Sequence, residues 1–447
     1  MYTSYIGKKF LKLYNEREGK SLTAAEFFDE VFFELFFTDG SQLIHVSNSP
    51  FFQKPKEEDV KKYGSKSLAQ YNSLRKKLSS GVASGAVFVG YAAEEIQATT
   101  SGQLSSIDFR IDAEEMYASW IGEALGIGVS GGFVMLMNES AVLWALYQGW
   151  QYYRQFLQQT PNLKDKQIET WNGHWLAHSF GKNFNAEDPC EMFRVETSEV
   201  MGNIAIPTTA WSKVVFALSQ KYPNQILTAY AYNLSQTNTT LGFINLYLPE
   251  VRKIYEFRDA IFLSEKDTIL RDKQIEELQT FFNFKGACKL GTIGLKALEP
   301  DKLRTYMPQG SVPFAQGKDY KFSDQTSYFD YQLYKLWIIA MLNKTELLNL
   351  ASEVARALSD FENKDKDNNR GKTNFSQEAK KVREAKNIRE FIDELTEILA
   401  KTPVNAETFR QVVEQVIKMP ADNFPLFATL IRFEYQYQKS KNAISNN

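Results

Sequence analysis

Apolar residues near the start of the chain recur at the spacing of an amphipathic helix. Ser21 and Thr23 are suitable N-terminal caps for such a helix. The apolar positions that follow are Phe27, Phe28, Val31, Phe32 and Leu35. The pattern therefore predicts a helix with a large aromatic face, and a short extended segment follows it and ends at Pro50.

Further along, the pattern changes between the spacing of strands and that of helices. Apolar and charged side chains alternate in residues 105–112, which is typical of a half-buried strand. Residues 113–125 repeat apolar side chains at helical spacing, and the apolar run at 132–137 favours a strand. The order predicted for this region is therefore strand, helix, strand.

A long helix is predicted next, at residues 138–159, with Asn138 or Ser140 as its cap. The region after it is less regular. It is predicted to contain two strands and then a helix, at residues 225–232, 240–248 and 266–282.

From about Gln325 the chain becomes a succession of helical patterns. Apolar positions at helical spacing occur in residues 325–343, 345–362, 376–401, 406–419 and 424–438. A polar loop separates the second from the third, at about 363–375. We therefore predict an α+β protein, with an irregular mixed α/β N-terminal body at residues 1–324 followed by a C-terminal all-α helical bundle at residues 325–447. The body is long enough for two subdomains.

Composition places the chain among globular proteins. Of its 447 residues, 43% are hydrophobic and 14% aromatic, which is ample for a large buried core. The net charge of −2 gives no argument for or against a polyanionic partner. No apolar run approaches the roughly 20 residues of a membrane-spanning helix, and the N-terminal residues are charged throughout. We therefore expect a soluble, cytoplasmic protein without a membrane partner.

A literal G-x-G-x-x-G occurs at Gly126, Gly128 and Gly131. A dinucleotide loop needs a strand before these glycines and a helix that begins inside them. Here a helix precedes and a strand follows. We therefore expect Gly126 to be a left-handed helix C-cap and Gly131 with Gly132 to lead into the strand. The motif does not predict a dinucleotide site.

Two histidines and two cysteines are the candidates for a metal site. Cys190 and Cys288 lie far apart and outside any C-x-x-C pair, which argues against a thiolate zinc site and a disulfide framework. His174 and His178 are spaced to share one face of a helix, as a zinc pair requires. The alternative is a pair of half-buried rings among aromatic neighbours. We predict no metal and no cofactor.

A nuclease needs acidic side chains grouped at the end of a strand. Asp108 and Asp112 share one face of a predicted strand, but Arg110 between them favours a surface charge ladder. No G-x-S-x-G and no catalytic arrangement of cysteine and histidine is present. The sequence therefore predicts no catalytic residues.

Two segments combine basic side chains with aromatic or polar neighbours. Residues 54–77 hold eight Lys and Arg against three acidic side chains, and residues 364–389 hold nine against four. Neutralisation of phosphates by lysine and arginine drives sequence-independent binding of DNA and RNA. A solvated surface is the alternative meaning of such a charge run. The candidate nucleic-acid-binding residues are Lys54, Lys56, Lys61, Lys62, Arg75, Lys76, Lys77, Lys372, Lys380, Lys381, Arg383 and Lys386.

Three further segments follow each other in a distinctive order and spacing. They are "YIGKKFLKLYNEREGKSLTAAEFFDEVFFELFF", "QIETWNGHWLAH" and "YKLWIIAMLNKTELLNLASEVARAL". Together they resemble the large subunit of type I (I-A/I-B-like) CRISPR Cascade surveillance complexes. The resemblance spans most of the chain, and its segments carry no catalytic signature.

The resemblance implies a non-catalytic subunit of an RNA-guided antiviral complex. Its N-terminal body would contact the guide RNA and the backbone subunits and recognise a short motif on target duplex DNA. Its helical bundle would stabilise the displaced strand and help recruit a helicase-nuclease. Together with the charges, this predicts that Lys61, Lys62, Lys76 and Lys77 bind duplex phosphates. The displaced strand would then contact Lys372, Lys380, Lys381 and Arg383.

The chain also departs from the family, because it lacks the paired C-x-x-C zinc motifs of some members. No metal is therefore carried over from the resemblance. Two other functions stay open at this point. One is a metal-dependent nuclease of a prokaryotic defence system, and the other is a protein-interaction scaffold without nucleic acid.

Overall fold

The computed structural model describes residues 1–38, 40–81, 84–91, 111–200, 202–262, 270–278, 283–308, 317–367 and 375–445. These residues form an α+β fold with a C-terminal helical region, as predicted. The chain divides into two compact units. The mixed unit comprises Met1–Pro249 and Asn283–Ile293, and the helical unit comprises Glu250–Phe282 and Gly294–Asn447.

Helices occur in both units. In chain order the α-helices are α1 (Tyr2–Glu18), α2 (Ala24–Phe27), α3 (Phe33–Phe37), α4 (Glu57–Tyr63), α5 (Lys66–Ser79), α6 (Ala113–Ala124), α7 (Ser140–Gln159), α8 (Ile168–Ser179), α9 (Trp211–Lys221), α10 (Leu248–Phe262), α11 (Asp272–Glu276), α12 (Phe284–Lys289), α13 (Leu303–Tyr306), α14 (Gln325–Leu342), α15 (Glu346–Asp367), α16 (Phe375–Glu384), α17 (Ile388–Lys401), α18 (Ala406–Ile417) and α19 (Phe424–Ser445). A π-helical turn joins α2 to α3 at Phe28–Phe32, and 3₁₀ turns lie at Pro50–Phe52, Leu295–Leu298, Pro403–Asn405 and Ala421–Asn423.

The strands belong to the mixed unit. They are β1 (Ile127–Val129), β2 (Phe133–Met137), β3 (Ser198–Val200), β4 (Asn203–Ala205), β5 (Ile226–Asn233), β6 (Gln236–Tyr247) and β7 (Thr292–Ile293). One five-stranded sheet has the order β1-β2-β5-β6-β7, antiparallel except for the parallel pair β6-β7, and β3 pairs with β4 separately. The two strands predicted near residues 225–232 and 240–248 are thus confirmed as the central hairpin.

The predicted aromatic helix near the N-terminus is confirmed as the run α2, π-turn, α3. Thr23 is its N-cap, and Thr23 and Glu26 form a reciprocal capping box. Its aromatic side chains surround Trp120 and Trp150, both fully buried. Phe32 stacks on Phe36 with ring centroids 4.1 Å apart. This aromatic packing is the core of the mixed unit next to the basic segment described below.

Two glycines allow α1 and α6 to cross in close contact. A Cβ atom at Gly7 would lie 1.8 Å from the carbonyl oxygen of Ala118, and one at Gly122 would lie 1.8 Å from that of Thr3. Backbone therefore meets backbone at this crossing, and no larger residue fits either position.

The helical unit is built around α15 and α19, which pack against each other and against α14, α16 and α18. Residues before Gln325 belong to the same unit. The Trp337 indole N–H donates to the Leu295 carbonyl at 2.9 Å, and the Tyr334 hydroxyl donates to the Asp301 carbonyl at 2.9 Å. The unit is therefore wider in sequence than residues 325–447.

Several local predictions differ from the structure. α7 has Glu139 at its N-cap, without a side-chain capping bond, because the Asn138 amide instead donates to the Tyr5 hydroxyl at 3.1 Å. The segment before Pro50 is not an extended strand but a series of turns that ends in the 3₁₀ turn, since proline favours the first helical position. Of the helix predicted at 266–282, the described residues contain α11. The strand predicted at 105–112 lies largely outside the described residues.

Candidate nucleic-acid interface

The first basic segment, residues 54–77, consists of a short irregular stretch and two helices. Lys54 and Lys56 are exposed and precede α4. Lys61 and Lys62 lie in the last turn of α4, where cations complement the negative end of the helix dipole. The helix then ends at Gly64, which has a left-handed φ of 86°. The irregular stretch and the end of α4 therefore bring four lysines to the surface.

The second helix of this segment, α5, is anchored by its apolar face. Ser65 caps it by accepting a hydrogen bond from the Leu68 amide at 3.1 Å. The buried positions are Ala69, Gln70, Tyr71, Leu74 and Leu78. Lys66 and Lys76 are exposed, and Lys77 is half-buried. The amphipathic pattern thus turns the basic side chains of α5 away from the core.

The lysines of this segment have no carboxylate partner among the described residues. In that part of the chain, no Asp or Glu oxygen lies within 4.0 Å of the ammonium groups of Lys54, Lys56, Lys61, Lys62, Lys66, Lys76 and Lys77. Lys62 lies over the ring of Tyr63, 5.2 Å from its centroid. These charges are therefore available to an external anion.

Arg75 differs from its lysine neighbours. Its guanidinium pairs with Asp29 on the π-turn and lies over the ring of Tyr71, 4.6 Å from the centroid. The Tyr71 hydroxyl donates to the same carboxylate. Arg75 therefore fastens α5 to the aromatic helix, and its charge is already compensated within the fold.

The second basic segment lies in the helical unit and is largely paired. Lys380 contacts Glu384 at 3.6 Å, and Lys381 contacts Glu394 at 3.9 Å. The backbone N–H of Lys386 donates to Glu390. Lys372 lies outside the described residues. The two basic segments lie in different compact units.

Arg383 is buried in an ionic cluster between three helices. Its guanidinium donates to Glu362 on α15 at 3.1 Å, and both side chains are about one-tenth exposed. It lies 3.9 Å from the ring centroid of Tyr435, whose hydroxyl donates to the same Glu362. Removing one partner of such a cluster costs about 3–5 kcal/mol. Arg383 is therefore a structural cation of the helical unit, and the prediction that it contacts a displaced strand does not fit its burial.

The two histidines do share α8, but each ring is held by a different backbone group. The Nε2 atom of His174 lies 2.8 Å from the Pro207 carbonyl oxygen, and that of His178 lies 2.9 Å from the Pro189 carbonyl oxygen. Burial lowers the pKa of both rings. Among the described residues, no group of three or more His, Cys, Asp or Glu side chains could hold a metal ion. The arrangement thus favours structural rings.

The glycine motif lies at a helix–sheet contact. α6 ends with Leu125 as its C-cap, and Gly126 does not have a positive φ, so the prediction of a left-handed cap there is wrong. A Cβ at Gly126 would lie 2.5 Å from Val134, and one at Gly128 would lie 2.9 Å from the Glu169 backbone of α8. Gly131 has a left-handed φ of 96° in the β1-β2 turn. These glycines permit close packing.

A pair of buried carboxyl groups lies beside that contact. Glu123 and Glu169 are both buried, and the Tyr232 hydroxyl donates to Glu123 at 2.9 Å. Burial, followed by repulsion from Glu123, raises the pKa of Glu169 to about 8. Glu123 belongs to α6, Glu169 to α8 and Tyr232 to β5, so the pair is part of the packing between these elements.

Sequence reasoning missed two residues beside the first basic segment. Phe52 is 41% exposed, and the ammonium of Lys166 lies 4.2 Å from its ring centroid. Their sequence positions are far apart, so no local pattern joins them. The available signal was the doubled phenylalanine after Pro50, because only one side chain of such a pair can point inward in a 3₁₀ turn.

Comparison of the chain with known protein families, curated proteins and solved structures finds no match in any of the three. The resemblance described above therefore stays a prediction. Within the described parts of the chain, every helix is too short or too polar to cross a lipid bilayer.

Proposed function

We propose that this protein is a non-catalytic nucleic-acid-binding subunit whose contact surface is the first basic segment. One observation carries the proposal. Seven lysines lie in a short irregular stretch and the two helices that follow it, without a carboxylate partner among the described residues. Such cations favour a polyanion, because each neutralised phosphate releases condensed counterions. Arg75 and Arg383 are not part of the proposed surface, since each already forms an ion pair with a carboxylate of the same chain.

The resemblance supports a more specific form of this proposal. The chain would be the large subunit of a cytoplasmic RNA-guided antiviral surveillance complex, in contact with guide RNA, target DNA and the backbone subunits. It would recognise a short motif on duplex DNA, stabilise the displaced strand and recruit a helicase-nuclease. Base pairing with the guide would supply the sequence specificity.

A protein-interaction role is a second candidate, and an exposed aromatic surface favours it. Phe243 and Ile226 on the central hairpin are 59% and 54% exposed. The Phe243 ring lies 5.2 Å from that of Tyr2 and 5.3 Å from that of Tyr230. Exposed apolar surface of this kind is typical of protein interfaces. No arrangement of the described residues favours a metal-dependent nuclease.

Charge reversal at two consecutive lysines tests the proposal. Lys61→Glu with Lys62→Glu should weaken binding of duplex DNA by about tenfold or more and flatten the salt dependence by about two units of slope. The physical reason is the loss of two phosphate contacts. Fluorescence anisotropy at several salt concentrations measures both quantities.

The chain offers a matched control in a second pair of consecutive helical lysines. Lys380→Glu with Lys381→Glu makes the same change in net charge, but these lysines already contact Glu384 and Glu394. A smaller loss of affinity is expected for this variant. Equal losses would mean that net charge alone decides binding. An unchanged affinity in the Lys61 and Lys62 variant would contradict the proposed surface.

A further inference from the structure

The 3₁₀ turn Pro50–Phe52 points one aromatic side chain into the core and the next one towards solvent. Phe51 is buried and stacks on Phe37, with ring centroids 3.7 Å apart. Phe52, the next residue, is 41% exposed. The buried ring therefore fixes the position from which the exposed ring projects.

Hydrogen bonds hold the backbone of this turn. The buried Gln70 side chain donates to the Phe51 and Gln53 carbonyls at 2.9 and 2.8 Å. Gln42 donates to the Phe51 carbonyl as well, at 2.9 Å. An exposed aromatic ring on so constrained a backbone loses little conformational entropy when a ligand contacts it.

A groove opens beside Phe52, which we call the Phe52 groove. It has a volume of about 540 Å³, within the roughly 300–1,000 Å³ of small-ligand sites. Its lining residues are Phe52, Gln53, Lys54, Pro55, Glu57, Val60, Lys61 and Lys66. An apolar floor is thus bordered by three lysines and one carboxylate.

A fourth cation adjoins the aromatic ring itself. Lys166 lies 4.2 Å from the Phe52 centroid, and no described carboxylate lies within 4.0 Å of its ammonium. The His45 ring meets Phe52 at 4.6 Å and an angle of 72°. The groove therefore combines an exposed π-system with several uncompensated positive charges.

We propose that the Phe52 groove binds an unpaired base of a single-stranded nucleic acid, with the flanking phosphates on Lys54, Lys61 and Lys66. The inference rests on the proposed function and deepens it, because it assigns an unpaired strand to the mixed unit. Proteins that bind single strands combine a positively charged groove with aromatic rings on which bases stack.

A single strand fits this groove better than a duplex or a peptide. The bases of a duplex are stacked and paired, so their faces cannot reach Phe52. An acidic peptide with apolar side chains would satisfy the groove alone. However, the unpaired lysines continue beyond it along α4 and α5, at Lys62 and Lys76, which favours a longer polyanion.

Substitution of Phe52 tests the inference in the full-length chain. Phe52→Ala should weaken binding of a labelled thymidine strand of about 12 nucleotides by between about fivefold and about a hundredfold. The salt dependence should be unchanged, because no charge is lost. Binding of duplex DNA should also be unchanged. Phe52→Tyr should restore the affinity for the single strand, since its ring also stacks.

Phe243→Ala is the matched control, because Phe243 is an exposed aromatic residue that does not line the groove. It should leave single-strand affinity unchanged. If Phe52→Ala leaves that affinity intact while the Lys61 and Lys62 reversal reduces it, the inference is overturned and the proposed function stands. If neither change affects binding, both fail. If an acidic peptide displaces the single strand from the unsubstituted chain but not from Phe52→Ala, both ligands bind in the Phe52 groove and the inference is supported. If the chain binds the peptide but not the single strand, the inference is overturned.

Discussion

At the scale of single residues, the buried carboxyl pair Glu123 and Glu169 makes the stability of the fold depend on pH. The raised pKa of Glu169, about 8, compares with 4.5 for an ordinary glutamate. Between these two values the folded chain keeps a proton that the unfolded chain releases. The stabilising effect of this proton is therefore complete at acidic pH and is lost as pH rises toward 8.

Glu169→Gln should remove this dependence, because a neutral amide replaces the protonated carboxyl. Between about pH 5 and pH 8, the free energy of unfolding should fall by roughly 2–4 kcal/mol more in the unsubstituted chain than in the variant. Urea denaturation at several pH values measures the difference. Glu16→Gln is the control, since the Glu16 side chain is 61% exposed. Parallel pH profiles for the unsubstituted chain and Glu169→Gln would show that another group holds the proton.

At the scale of elements, the glycine motif shows that a sequence motif predicts a binding site only together with the secondary structure on either side of it. The order helix, glycines, strand is visible in the sequence and is confirmed by the structure, and it differs from the order strand, glycines, helix of a dinucleotide loop. Gly128 is required because α8, some 40 residues further along the chain, packs closely against it. This contact is not predictable from the sequence around Gly128. Helices with clear apolar periodicity, such as α15 and α18, were predictable for the opposite reason, because their signal is local.

Gly128→Ala should destabilise the mixed unit by about 1–3 kcal/mol, because the new methyl group would meet the backbone of Glu169. Thermal unfolding measures the loss. Gly85→Ala is the control, since the nearest described atom to its methyl group would be the Tyr91 carbonyl oxygen, at an ordinary contact distance of 3.6 Å. Added NAD should not shift the midpoint temperature of thermal unfolding of the unsubstituted chain. A rise in the midpoint that Gly128→Ala abolishes would instead indicate a dinucleotide site.

Only part of the candidate site could be predicted from the sequence. The charge run at residues 54–77 is local, so its lysines could be counted. Whether a lysine is free or paired depends on contacts between distant residues, as between Arg383 and Glu362. The same holds for Phe52, which acquires its cation from Lys166, more than 100 residues along the chain.

At the scale of the whole molecule, the chain consists of two compact units that interleave in sequence. The predicted change of character at Gln325 coincides with the start of α14, the first of the successive helices α14 to α19. Tertiary contacts such as that of Trp337 with Leu295 assign earlier, irregular residues to the same helical unit. Because irregular segments have no periodicity, their membership follows from packing and not from pattern.

Binding of nucleic acid by the unpaired lysines of the first basic segment should show itself in the dependence of affinity on salt. The most direct test is the affinity of the unsubstituted protein for a single strand and for a duplex between about 50 and 200 mM salt. We expect measurable binding at low salt, and we expect the logarithm of the binding constant to fall linearly with the logarithm of the salt concentration. The slope should be about 0.7 per phosphate contact on the single strand and about 0.9 per contact on the duplex. No binding at the lowest salt, or an affinity that salt does not change, would contradict binding by these lysines.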